Sequence, residues 1–158
     1  YAIEASEDSA NYLRINVALN RCDNVSVHQV AISDQEGTIA LYHDTGTWGH
    51  STVKAYSKIS ETVKATTLSA FMEANGIEKC HFMKLNCEGA EFPILLSAPG
   101  AVLQRFETIL ILYHCDLWTG NTENDLISHL ESSGFKCVVR NKIDKRGWII
   151  TANRHASR

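Results

Sequence analysis

Asn86, Glu88 and Glu91 fall within six residues of each other in the stretch HFMKLNCEGAEFPILL, residues 81–96. They follow an apolar run through Phe82, Met83 and Leu85 and precede a helix-like pattern. Two carboxylates and an amide where a strand gives way to a helix are equipped to bind hydroxyls, brace a turn or move a proton, because a carboxylate only accepts and an amide both donates and accepts. A second polar group, Tyr113, His114 and Asp116, follows the apolar run TILILY. An imidazole titrates at about 6.5 when unperturbed, so His114 suits a general base for a hydroxyl proton, though a strand-end histidine is also an ordinary structural residue. Glu4 closes a third strand-like segment, and Ser33 with Asp34 closes a fourth. A carboxylate at the end of an early strand accepts both hydroxyls of a ribose; the competing role for Glu4 is to favour the dipole of the helix that follows.

These polar ends need strands and helices that alternate. Residues 6–20 read as a helix, with Ser6 as cap, Glu7 and Asp8 in the first turn, and Ala10, Leu13 and Val17 on one face. VSVHQVAI, residues 25–32, reads as a buried strand, and TIALYHD from Thr38 as an exposed edge strand. TTLSAFMEANG predicts a short helix that starts near Thr67 and stops at Gly76. Residues 80–85 form the strand before the carboxylate cluster, EFPILLSA a helix that tolerates Pro93 in its first turn, and residues 108–113 a strand apolar on both faces. TENDLISHLESSG carries a cap at Thr122 with Asp125 three residues on, and ends at Gly134. FKCVV and GWIITAN close the chain as two strands around NKIDKRG. Helices alternating with strands, ending in a pair joined too tightly for a crossover, describe an α/β fold with one antiparallel strand in a mostly parallel sheet.

The 158 residues suit one domain, and no apolar run approaches the roughly 20 residues of a membrane span. With 15 Lys plus Arg against 18 Asp plus Glu, no positive field draws the chain to nucleic acid. Five cysteines without CxxC spacing fit reduced thiols in a cytoplasmic protein. The histidines show no HxH or HxxxH pairing, so no metal is expected, although Asn86, Glu88, His114 and Asp116 are oxygen- and nitrogen-rich.

AIEASEDSANYLRINVALN, VHQVAISDQEGTIALY, TTLSAFM and MKLNCEGAEFPILL resemble, in order and spacing, the FkbM family of S-adenosylmethionine-dependent methyltransferases. The resemblance spans nearly the whole chain, and KLNCEGAE is its most specific block, with Asn86 where family members often carry Asp. It implies a class I, Rossmann-like methyltransferase fold, α/β, with a seven-stranded, mostly parallel sheet closed by an antiparallel hairpin. Residue by residue it implies that Glu4 binds the cofactor's ribose, and that Ala31, Ile32 and Ser33 lie along its adenine. Asn86 then sits at the methionine and methyl end, Glu88 and Glu91 line or brace the acceptor side, and Gly89 allows close backbone approach.

The glycine-rich loop that wraps the methionine part of the cofactor in this fold has no counterpart, since no GxG occurs. The resemblance places that strand, loop and helix before Tyr1, so residues 1–158 are expected as one methyltransferase-like domain, incomplete at its N-terminus. A further departure is Leu112, where many members have Glu two residues before the histidine. The implied reaction is O-methylation of a sugar, glycan or other small-molecule hydroxyl by in-line displacement, in which positioning supplies most of the rate. The alternative is a non-catalytic binding or scaffold domain that kept the sheet and lost the loop. GTWGHSTV, residues 46–53, is the expected acceptor-selecting segment, through stacking by Trp48 and hydrogen bonding by His50; a plain surface hairpin is its other reading.

Overall fold

The computed structural model describes residues 1–43, 49–55, 57–118 and 120–154. Strand β1 (Ala2–Glu4) leads into helix α1 (Glu7–Leu19), which starts after Ser6 with Glu7 and Asp8 in its first turn. The chain returns through β2 (Val27–Gln29) and β3 (Ala31–Ser33). The single strand expected over residues 25–32 is therefore split at Val30, whose N–H donates to the Glu4 carbonyl at 3.1 Å. The first half pairs parallel with β1, while the second pairs parallel with a later strand.

That later strand is β5 (Ser60–Thr67), which also pairs antiparallel with β4 (Gly37–Tyr42) and leaves β4 at an edge, as the alternation of TIALYHD predicts. Residues 49–53 are irregular and tied to β4 by a bridge between Ser51 and Tyr42. Helix α2 (Leu68–Ala74) begins at Thr67, whose Oγ1 accepts from the Ala70 N–H at 3.1 Å. It stops at Gly76, which adopts φ +62°, a left-handed turn that costs glycine little. Thr67→Ala removes an acceptor for an otherwise orphaned helix donor and is expected to cost about 1 kcal/mol, read as a lower urea midpoint.

The remaining elements build the core. They are β6 (Cys80–Leu85), α3 (Glu91–Ser97), α4 (Gly100–Leu103), β7 (Phe106–His114), α5 (Glu123–Ser132), β8 (Phe135–Ile143) and β9 (Arg146–Asn153). Ile109, Ile111 and Tyr113 alternate on one face of β7 and are fully buried, as are Phe92 and Leu95 of α3, Leu126 and Leu130 of α5, and Phe135. The sheet order is β6-β7-β9-β8, with β6 and β7 parallel and β9 antiparallel to both its neighbours. The tight turn after β8 forces that reversal, because two residues cannot make a crossover. A smaller cluster, Ala31, Leu41, Val63 and Ala65, seals the β3-β5-β4 sheet.

The α/β class holds, whereas the mostly parallel single sheet does not describe the pairing. Three strand pairs are parallel (β1 with β2, β3 with β5, β6 with β7) and three antiparallel (β4 with β5, β7 with β9, β8 with β9) among the described residues. They are distributed over sheets of two, three and four strands. The physical reason is twofold: β4 folds back on β5, and β9 is inserted between β7 and β8.

Candidate active site

β1, β3 and β6 line one cavity of about 790 Å³, which runs along β6 from Cys80 to Lys84 and reaches the turn that follows it, within the range that holds a small-molecule ligand. Glu4, Ala31, Ile32, His50, Asn86 and Glu88 line it together. Ser33 is buried and donates to Asp34 Oδ1 at 3.0 Å, outside the wall. Glu91 and His114 are also outside the wall, with 0 % and 1 % of their surface exposed. Trp48 lies outside the described residues.

Half-buried Glu4 accepts the Ser6 N–H through Oε1 at 2.9 Å, and no bond to Oε2 is found among the described residues. Ala31 and Ile32 supply apolar wall beside it. His50 Nδ1 is buried without a hydrogen-bond partner among the described residues, a cost that a ligand donor or acceptor would remove. One carboxylate oxygen beside an apolar wall suits a ligand with a hydroxylated sugar and a flat base, so Glu4, Ala31 and Ile32 fit S-adenosylmethionine.

The turn after β6 is built around Glu91. Its Oε1 accepts the Cys87 N–H at 2.7 Å, and its Oε2 accepts the Gly89 N–H at 2.9 Å. His114 Nδ1 lies 3.0 Å from the same Oε1, and His114 Nε2 lies 3.5 Å from Glu88 Oε1. The imidazole at the end of β7 is thus held between two carboxylates from the β6–α3 turn. Glu88 adopts φ +47°, uncommon for a residue with a side chain, and Gly89 adopts φ +101°. Ser51 Oγ donates to the Glu88 carbonyl at 2.7 Å while accepting the Val53 and Lys54 N–H groups, which ties the irregular loop to this turn.

Sequence reasoning pointed to Glu88, Glu91 and His114 but not to the bonds among them, and within GTWGHSTV it did not single out Ser51. Nothing in local spacing reports a contact between residues 23 positions apart. Burial of the Cys87 sulfur, reinforced by the negative charge of Glu91, pushes its thiol up to about 12, so it stays protonated and a poor nucleophile.

Asp116 is engaged by Arg146, whose Nε and Nη2 donate to its two oxygens at 2.9 and 2.8 Å. The Arg146 hydrogen bonds hold the Asp116 carboxyl below its usual value of 3.8. A depressed carboxyl stabilises the fold above its unfolded pKa and loses that contribution as pH falls through the folded value. Both side chains are over a third exposed, so screening limits the pair to no more than about 1 kcal/mol. Asp116→Asn is therefore expected to lower stability slightly at neutral pH and to matter progressively less as pH falls below 3.8, checked by urea unfolding across that range.

The methyltransferase FkbM domain matches residues 1–137, and the chain belongs to that family. Its class is therefore that of a methyltransferase domain. No curated protein and no solved structure matches the chain. No helix among the described residues is long and apolar enough to cross a membrane.

Proposed function

We propose that this methyltransferase domain uses S-adenosylmethionine to methylate a hydroxyl oxygen on a sugar, glycan or other small-molecule acceptor. The observation that carries the reading is the shared cavity, in which Glu4 and the Asn86–Glu88 turn meet in a chain of the FkbM family. When bound, the cofactor supplies a methyl group on a sulfonium, an electrophile that needs no metal or further activation. Glu4 accepts ribose hydroxyls through Oε2, and Ala31 and Ile32, followed in β3 by the buried Ser33, form the adenine wall. Asn86 orients the methionine end, His50 takes part in acceptor binding, and the Glu88–His114 side of the turn receives the acceptor's proton. Trp48 would add a stacking surface. A cytoplasmic, reducing location belongs to this reading, in keeping with five cysteines that are all free thiols.

The cavity is bordered by Tyr1, Ile3 and Phe82, three large apolar side chains that are exposed. β1 and β6 each have a strand neighbour on one side only among the described residues. Two half-paired strands flanking an apolar opening support a site completed by one more strand and its glycine-bearing turn. The test is calorimetric titration with S-adenosylhomocysteine, of this chain and of a version extended upstream by about 40 residues, enough for a strand, turn and helix. Binding by the extended version, tighter than by residues 1–158, is the expected result. No binding by either sinks the enzyme reading and leaves the scaffold domain.

A further inference from the structure

We propose that Glu88 is the group that meets the acceptor and takes its hydroxyl proton, and that His114 and Glu91 are positioning residues behind it. The inference deepens the methyltransferase reading and rests on it. Its ground is the order in which the three groups lie from the cavity inward. Glu88 lines the cavity with 21 % of its side chain exposed, His114 follows at 1 %, and Glu91 ends the row at 0 %. A base has to come within hydrogen-bond reach of the proton it removes, and only the first of the three can do so without the fold opening.

The inner pair is built to hold a ring rather than to meet a substrate. Both Glu91 oxygens already accept backbone N–H groups, and a carboxylate has no hydrogen to offer, so His114 Nδ1 must carry the hydrogen of the 3.0 Å contact. The tautomer is thereby set and Nε2 carries no hydrogen, so its 3.5 Å approach to Glu88 Oε1 sets two acceptors face to face and becomes a hydrogen bond only once a proton reaches Glu88. A proton taken from an acceptor breaks an O–H bond, leaves the electron pair on the acceptor oxygen and forms a carboxyl O–H on Glu88. Passing it inward breaks that bond and forms N–H at His114 Nε2, with Glu91 facing the resulting imidazolium. Each transfer balances without any further reactant.

The backbone of Glu88 supports the same assignment. Its φ of +47° is a conformation that side-chain-bearing residues take at a cost, and such strain persists where surrounding contacts over-determine it. Here the Ser51 hydroxyl holds the Glu88 carbonyl, and Gly49 lies so close that a Cβ built on it would sit 3.5 Å from Glu88 Oε2. The left-handed turn and the loop together aim the carboxylate between the cavity and the imidazole.

Diethyl pyrocarbonate, which acylates accessible imidazole nitrogen, tests the order of the row by peptide mass spectrometry. His114 is expected to stay unmodified in the wild type while His81, whose side chain is 80 % exposed, reacts. Glu88→Gly keeps the left-handed backbone, removes the carboxylate and is expected to bring His114 to the rate of His81. Glu88→Gln, an isosteric second variant, is read by long-range 1H–15N spectra: the His114 Nε2 resonance shifts and Nδ1 does not. Modification of wild-type His114 at the His81 rate, protection that survives Glu88→Gly, or an unmoved Nε2 resonance each overturns the proposal. S-adenosylhomocysteine titrations of the extended protein run alongside. Loss of cofactor binding with the labelling pattern as expected rejects the methyltransferase reading, whereas retained binding with an exposed His114 rejects the relay.

Discussion

Glu91→Ala is expected to cost about 3–5 kcal/mol, the range for removing one partner from a buried, hydrogen-bonded charge. The side chain is completely buried, and both its oxygens accept backbone N–H groups from the turn that shapes the cavity rim. Truncation strands the part-buried Cys87 amide together with the buried Gly89 amide and His114 Nδ1, three donors left without an acceptor. Against a typical total of about 5–15 kcal/mol this is a large share, so the variant should unfold at a much lower urea concentration, with an unchanged slope if two-state behaviour persists. Glu91→Gln keeps the shape but brings an NH2 group against one of these donors, and is expected to fall between the two proteins. A loss under about 1 kcal/mol for Glu91→Ala would show that the turn is not held as described.

Where residue chemistry is local, the structure could be read from the sequence. The strand at residues 80–85, the cap at Thr67, the glycine stop at Gly76 and the reciprocal Thr122–Asp125 cap are each decided by neighbours within a few positions. β5 was not legible, because SETVKATT buries only Val63 and Ala65 and is otherwise polar, so no apolar pattern marks it. Its conformation comes from pairing with β3 on one side and β4 on the other, contacts that a local pattern does not carry. Helix α4, which starts directly after Pro99 and is four residues long, is too short for any periodicity. In the site, the residue types pointed to Glu88, Glu91 and His114, but their ranking from surface to interior depends on how β6, β7 and α3 pack. The same packing buries Glu91, expected to line or brace the acceptor side, so that of the two it can only brace.

Gly147→Ala tests the packing at the far side of His114, where β7 and β9 pair Tyr113 with Gly147. A Cβ at position 147 would lie 2.6 Å from the Tyr113 hydroxyl, 2.9 Å from Cζ and 3.1 Å from the Lys142 Cα. The ring is fully buried and the Lys142 contact is backbone, so neither yields cheaply, and overpacking of this kind costs about 1–3 kcal/mol. Tyr113→Phe acts in the opposite direction. Its hydroxyl is buried without a hydrogen-bond partner among the described residues, and burial pushes its ionisation upward. Deleting an unsatisfied buried hydroxyl is expected to stabilise the protein by about 1 kcal/mol. Because the same oxygen obstructs the new methyl, the double variant should recover more than the sum of the single changes, by about 1 kcal/mol in a cycle of thermal unfolding measurements. Simple additivity would mean that the Lys142 backbone, rather than the phenol, sets the space above Gly147. Destabilisation by Tyr113→Phe alone would mean that the hydroxyl finds a partner in solution.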